Sequence, residues 1–174
     1  MYIIAAINYC YMLDSISTLR EREVCFASTP GGHLQSLRLL SDSYVDSNHI
    51  IFTYDSVLSR EMNNTWILKH IDYHSLLSIR AVLNFVLISV QMFIFLTISR
   101  PNVVISTGGE VAPFFLYLGK LTGADVIFIE DISRSDSRSN SGKLVYPIAD
   151  EFFVQHEETV ELYGDKAEYH GSVL

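Results

Sequence analysis

The residues best suited to chemistry form one short stretch, Ser28-Thr29-Pro30-Gly31-Gly32-His33. An apolar run, Val24–Ala27, precedes it, and leucines at positions 34, 37 and 40 follow it at helical spacing. This order is typical of a strand, a tight turn and the start of a helix. Adjacent glycines let backbone N–H groups approach a ligand, and the positive end of the helix dipole favours an anion such as a phosphate. The imidazole of His33 could bond a phosphate oxygen or remove a proton from a sugar hydroxyl.

A second loop of the same kind follows the apolar run at residues 103–105, where the sequence reads Ser106-Thr107-Gly108-Gly109-Glu110. A single Gly-Gly turn leaves open a purely structural turn beside a surface histidine. Two such loops in one chain favour a phosphate site. The second loop differs from the first in the residue after the glycines, which is Glu110 instead of a histidine. The carboxylate of Glu110 would repel a diphosphate. Direct phosphate contact by the second loop therefore stays open.

Composition limits the classes of function. The chain has 174 residues, enough for one domain with a sizeable core, and a formal net charge of −8, which argues against a nucleic-acid surface. Cys10 and Cys25 lack the spacing of a metal site or redox motif, so a reducing compartment is expected. His70 and His74 stand four residues apart without a further ligand, which favours two solvated histidines over a metal site.

The longest apolar segment, residues 81–98, contains no charged residue. As a helix it would extend roughly 27 Å, just short of a hydrocarbon core of about 30 Å. A single crossing would separate the two glycine loops, so we expect a helix with one side on the sheet. Arg80, Asn84 and Gln91 would form a narrow polar stripe on it. Its other side would lie on a bilayer surface, or the helix would be fully buried.

The order of apolar runs predicts an α/β fold. Strands near residues 24, 50, 66, 103, 126 and 152, with helices between them, indicate a doubly wound, mostly parallel, Rossmann-like sheet in a single domain over residues 23–174. Right-handed crossovers place both glycine loops on one rim. A dinucleotide-binding domain is disfavoured, because the first loop lacks G-x-G-x-x-G spacing. Residues 1–22 are an extension, a disordered tail or a weak anchor.

Acidic and basic residues follow the strand at residues 126–129. Glu130 and Asp131 close it at the end where open α/β sheets bind ligands. The serine-rich stretch 132–142 should be mobile when empty. Arg134 and Arg138 on this stretch could close on a phosphate as a ligand-ordered lid, the alternative being a plain solvated loop.

Three segments together, residues 28–33, 100–109 and 142–150, carry a family resemblance that covers residues 24–174. The chain resembles the acceptor-side, membrane-associated subunit of two-component GT-B glycosyltransferases, the asparagine-linked-glycosylation-fourteen-like family. The segment 142–150 and the compact size favour its bacterial PssD/EpsE branch, which serves capsule and exopolysaccharide assembly.

The resemblance implies the N-terminal half of a GT-B enzyme. In one-chain relatives such as MurG, this half binds a lipid-linked acceptor near two glycine loops, and the other half binds the UDP-sugar. The chain should therefore need a donor-binding partner chain, which supplies the UDP-sugar, and no cofactor or metal. The implied acceptor is a polyprenyl-diphosphate-linked saccharide, and the implied location is the cytoplasmic face of the membrane, peripheral or weakly anchored.

The same resemblance assigns site residues. Gly31, Gly32 and His33 match the first loop of the family, Gly108 and Gly109 match the second, and Glu130 matches an acidic residue after a strand. His33 as the base that deprotonates the acceptor is a hypothesis. The function is then either a glycosyltransferase subunit with catalytic residues or a non-catalytic scaffold that activates a partner transferase. A nucleotide-binding enzyme acting alone is a third, weaker class.

Overall fold

A computed structural model describes residues 24–43, 49–68 and 79–173. The predictions for residues 1–22 and for His70 and His74 lie outside these ranges. The described residues form one parallel sheet flanked by helices.

The sheet has seven parallel strands in the described residues, ordered β3-β2-β1-β4-β5-β6-β7. The chain thus winds outward in one direction from β1 to β3, returns to the other side of β1 and winds outward again to β7. This confirms the predicted doubly wound, Rossmann-like fold. The strands are β1 (Val24–Ala27), β2 (His49–Tyr54), β3 (Thr65–Leu68), β4 (Val103–Ser106), β5 (Asp125–Ile129), β6 (Glu151–Val154) and β7 (Ala167–Tyr169).

Six helices connect the described strands. They are α1 (Gly32–Ser43), α2 (Val57–Glu61), α3 (Ile79–Ser99), α4 (Val111–Leu121), α5 (Asn140–Val145) and α6 (Glu157–Tyr163). The short helix α2 begins at a capping box that Ser56 and Ser59 form. At the start of helix α5, the side chain of Ser139 accepts a hydrogen bond from the backbone N–H of Gly142 and so caps the helix.

Both faces of the sheet are covered by apolar side chains. The smaller cluster lies under α1, where Leu34 and Leu37 are completely buried against β1 and β2. The larger one lies under the helices on the opposite face and includes Phe52, Phe115 and Phe128. Strand β1 is buried along its whole length, as expected for a central parallel strand.

Helix α3 is buried on one side only. Ile88, Met92, Phe95 and Leu96 recur at helical spacing and are buried against the sheet. A second set faces outward, namely Val82, Leu83, Val86, Leu87, Val90, Phe93 and Ile94. The alternative of a fully buried crossover helix is therefore wrong. Gln91 is exposed, whereas the side chains of Arg80 and Asn84 lie outside the described part. None of the described helices has the length and apolar character needed to span a bilayer.

Candidate functional site

The two glycine loops touch each other at the carboxyl ends of the neighbouring strands β1 and β4. The hydroxyl of Thr107 donates a hydrogen bond to the carbonyl oxygen of His33 at 2.8 Å. In return, the imidazole Nδ1 of His33 lies 2.9 Å from the carbonyl oxygen of Thr107. The Thr107 hydroxyl also lies 3.3 Å from that of Ser28. These contacts confirm the prediction that the loops share one rim, because β1 and β4 pair directly in the sheet.

The glycines of the two loops have different surroundings. Gly31 and Gly32 are exposed, and a Cβ at either position would meet no atom within 4 Å. A Cβ at Gly109 would instead overlap the side chain of Thr29, and one at Gly108 would lie 3.0 Å from the His33 ring. The absence of side chains in the second loop therefore allows the first loop to pack on it. That Gly108 and Gly109 bind a diphosphate stays a prediction.

His33 also contacts a residue that sequence analysis had placed at the sheet edge without assigning it a role. The Oδ2 atom of Asp131, directly after the end of β5, lies 2.9 Å from Nδ1 of His33. Both groups near Nδ1, the Asp131 carboxylate and the Thr107 carbonyl, are hydrogen-bond acceptors. Nδ1 must then carry the hydrogen, which leaves the lone pair of a neutral imidazole on Nε2. The spacing of 98 positions between the two side chains gave no sequence signal for this pair.

The surroundings of Asp131 stabilise the ionised form of its carboxyl group. Burial raises the pKa of this carboxyl, but hydrogen bonds from Ser133 and electrostatic attraction to the His33 imidazole and the Arg134 guanidinium outweigh burial and hold the pKa below its usual range. The backbone N–H of Ser133 donates to Oδ1 at 2.7 Å, so Oδ2 is left for the imidazole. The side chains of His33 and Asp131 are 28% and 19% exposed, and the pair therefore remains accessible to a ligand.

Glu130 is almost completely buried, at 1% exposure, and contacts protein groups. Its carboxylate accepts hydrogen bonds from the backbone N–H of Asp131 at 2.8 Å and of Ser139 at 3.2 Å. The phenol of Tyr163 donates to the same carboxylate. Burial, together with this bond to the Glu130 carboxylate, raises the pKa of Tyr163. Whether Glu130 contacts the acceptor stays a prediction, and its burial favours a role in holding the loop.

The serine-rich loop 132–142 is attached to its surroundings. The Thr159 hydroxyl of α6 donates to the carbonyl oxygen of Arg134 at 3.0 Å, and Ser141 donates to the carbonyl oxygen of Gly109 at 2.7 Å. Hydrogen bonds within the protein thus hold this loop, whereas its composition predicted a loop that is mobile without a ligand. Arg134 is exposed, and Arg138 lies over the ring of Tyr163 at 5.9 Å. Their predicted closure on a phosphate stays a prediction.

Within the described ranges, no group of three or more histidine, cysteine, aspartate or glutamate side chains could hold a metal ion. The groups present at the rim are an oriented imidazole and the exposed backbone of Gly31 and Gly32.

Comparison with protein families places the same residues in a known group. A family model described as "Oligosaccharide biosynthesis protein Alg14 like" matches residues 31–173, and this range includes both glycine loops except the start of the first. Among curated proteins, the UDP-N-acetylglucosamine transferase subunit ALG14 of Candida albicans is 37% identical over 81 residues, which are 43% of this chain and 36% of that protein. ALG14 of Eremothecium gossypii is 32% identical over 80 residues, covering 42% of this chain and 35% of that protein. The chain thus matches about a third of the length of these relatives.

Comparison with solved structures supports the fold. MurG of Acinetobacter baumannii superposes with a TM-score of 0.59 at 12% identity, over 78% of this chain and 41% of that protein. At this identity the likeness concerns the fold, and it relates the described sheet to less than half of a GT-B glycosyltransferase.

Proposed function

Because the chain belongs to the family of Alg14-like oligosaccharide biosynthesis proteins, we propose that it is the acceptor-binding subunit of a two-chain glycosyltransferase. Its reaction moves a sugar from a UDP-sugar to a hydroxyl of a polyprenyl-diphosphate-linked saccharide. The curated relatives carry the name of UDP-N-acetylglucosamine transferase subunits, so UDP-N-acetylglucosamine is the first donor to test. Capsule or exopolysaccharide assembly of the PssD/EpsE type is the proposed setting.

The observation that carries the proposal is the His33 imidazole held between Thr107 and Asp131. With the hydrogen on Nδ1, Nε2 can take the proton of the acceptor hydroxyl. The hydroxyl oxygen then forms its bond to the anomeric carbon, while the bond from that carbon to UDP breaks and UDP leaves with the electron pair. This single displacement inverts the anomeric configuration. Asp131 stabilises the imidazolium that forms, as an oriented carboxylate does in other base–acid pairs.

The first loop is the proposed binding site for the acceptor diphosphate. The amides at the start of α1 have no acceptor within the helix, and Gly31 and Gly32 leave the approach to them open. The second loop is less suited, since Glu110 is exposed at the start of α4. Closure of Arg134 and Arg138 over the diphosphate completes the proposed acceptor site.

A partner chain and a membrane surface complete the proposal. The curated relatives are named as transferase subunits, which supports a separate donor-binding chain that brings the UDP-sugar. The outward apolar side of α3, defined above by seven residues from Val82 to Ile94, would lie on the bilayer surface, on the cytoplasmic side. A lipid-linked acceptor would then reach the rim from the membrane.

Transfer by the purified complex tests this proposal. The chain is co-expressed with candidate donor-binding chains, and the complex is given UDP-N-acetylglucosamine and a polyprenyl-diphosphate-linked N-acetylglucosamine. We expect transfer by the complex and none by either chain alone. Efficient transfer by this chain without a companion would contradict the proposal.

Replacing His33 with alanine separates a catalytic subunit from a non-catalytic scaffold. Loss of the base should lower kcat by about a hundredfold to ten-thousandfold while the complex still copurifies. The measurement is single-turnover transfer together with size-exclusion chromatography. Unchanged transfer by His33→Ala would favour the scaffold, because a scaffold needs binding to its partner and no proton acceptor.

A further inference from the structure

The contact between His33 and Asp131 depends on the position of the Asp131 backbone, which a buried carboxylate helps to hold. Asp131 is the first residue after Glu130, and its side chain can meet Nδ1 of His33 only if its backbone stays in place. Two hydrogen bonds hold this backbone: the carbonyl oxygen of Asp131 accepts from the N–H of Arg134 at 2.9 Å within the loop, and the N–H of Asp131 donates to the buried Oε1 of Glu130 at 2.8 Å.

We infer that Glu130 is a positioning residue of the proposed reaction: its buried carboxylate closes the loop 131–139 and thereby holds Asp131 against the His33 base. The inference rests on the proposed function, since it assigns a role in the same site. The Glu130 carboxylate contacts two backbone amides and Tyr163, so Glu130 would act on His33 through Asp131.

The geometry of the loop supports this assignment. One carboxylate oxygen accepts from the N–H of Asp131 and the other from the N–H of Ser139, so a single side chain bonds both ends of the loop. The phenol of Tyr163 donates to the second oxygen from α6. The chain around it is anchored as well, because the amide of Gln155 donates to the carbonyl oxygen of Glu130 at 2.8 Å.

The chemistry of the side chain also supports it. Burying a carboxylate is costly unless donors meet its oxygens, and three donors converge on this one. An apolar residue would fill the same volume without that cost, but it could not bond the two backbone amides. Gly142 leaves room for the arrangement, because a Cβ there would overlap Tyr163 and crowd Glu130.

The test compares Glu130→Gln with a matched control at the other end of β5. Glutamine has nearly the same shape as glutamate, but its amide NH₂ group replaces one of the two oxygens that accept hydrogen bonds. One of the bonds from the backbone N–H groups of Asp131 and Ser139 must therefore be lost. The control is Asp150→Asn, because Asp150 also accepts a backbone N–H of β5, that of Val126 at 2.8 Å, far from the rim. Both variants are assayed in the complete complex with UDP-N-acetylglucosamine and the lipid-linked N-acetylglucosamine.

We expect Glu130→Gln to lower kcat by about tenfold to a hundredfold, the usual effect of a misplaced reacting group, with KM for UDP-N-acetylglucosamine little changed. Asp150→Asn should lower the thermal midpoint and leave kcat at the wild-type value. Adding Glu130→Gln to an Asp131→Asn background should cost much less than it does in the wild type. Wild-type kcat in Glu130→Gln, or a loss of equal size in the Asp131→Asn background, would overturn the inference.

Two further measurements keep the outcome clear. If Glu130→Gln does not fold, Tyr163→Phe carries the test: losing one hydrogen bond to the carboxylate should lower kcat about fivefold, and only while Asp131 is present. An unchanged kcat in Tyr163→Phe would then overturn the inference. Normal transfer by His33→Ala would reject the proposed base role of His33, on which the inference rests, whereas inactive His33→Ala beside fully active Glu130→Gln would reject the positioning role alone.

Discussion

The two glycine loops have nearly the same sequence and different physical roles. Each begins with Ser-Thr and contains two adjacent glycines, at Ser28–His33 and at Ser106–Glu110. In the first loop the glycines are exposed and have open space beside them, whereas in the second they lie against Thr29 and His33. One Gly-Gly pair therefore leaves its backbone open to solvent, and the other makes room for the first loop.

The difference arises from what each glycine faces. Gly109 has a φ of +88°, in the left-handed region, and its missing side chain is the space that Thr29 occupies. Gly32 starts α1, and a Cβ there would meet no atom within 4 Å. A repeated motif thus indicates that two segments meet, and it does not show that both touch the ligand.

The strongest test of this contrast is Gly109→Ala compared with Gly32→Ala. Alanine at Gly109 meets both left-handed strain and overlap with Thr29, so the free energy of unfolding should fall by about 3 kcal/mol. Alanine at Gly32 should change it by less than about 0.5 kcal/mol. Urea unfolding measures both values.

The same pair of variants separates stability from binding. A methyl group at Gly32 stands where the acceptor diphosphate would approach, and we expect a higher KM for the lipid-linked acceptor despite normal stability. Equal loss of stability in the two variants would contradict the assignment of separate roles.

A smaller effect is expected when the overlap at Gly109 is relieved from the other side. Thr29→Gly in the Gly109→Ala background removes the side chain that the new methyl group would strike. The double variant should regain about 2 kcal/mol relative to Gly109→Ala, while the strain of the left-handed backbone remains. A double-mutant cycle by urea unfolding gives this coupling, and strictly additive losses would show that the two loops do not press on each other there.

The smallest effect concerns pH, because the Asp131 carboxylate contacts His33 of the first loop, whereas no carboxylate takes part in the contact between Thr29 and Gly109. Since Asp131 has a lowered pKa in the folded protein, its contribution to stability is present above the ordinary aspartate pKa of about 4 and is lost as the pH falls through the folded value. The stability difference between wild type and Asp131→Asn should therefore shrink in acid. The loss caused by Gly109→Ala should stay constant over the same range, since no titrating group takes part in that contact. Acid titration of the four proteins' unfolding midpoints, with Gly32→Ala as the reference, measures both trends.

Local sequence patterns predicted most of the fold. Strands β1, β4 and β5 contain the apolar runs 24–27, 103–105 and 126–129, and a polar residue follows each run. Strand β7 was not predicted, because it has three residues at the sheet edge and only Ala167 of them is buried. Its existence depends on pairing with β6, which no local pattern records.

The candidate site was predicted only in part. His33 and Gly31 were identified from the first loop alone, where the residue types and their spacing carry the signal. Asp131 was named only as the end of a strand, and Glu130 as a residue near the ligand. The structure buries Glu130 and turns Asp131 to the imidazole.

The sequence by itself determined the alternation of strands and helices, the two glycine turns and the histidine beside the first of them, because sterics and hydrophobic periodicity act over a few residues. Only the tertiary structure decided which glycine pair is open and which carboxylate meets His33. Those outcomes depend on β4 lying beside β1 and β5 beside β4, which brings residues about a hundred positions apart within hydrogen-bond distance.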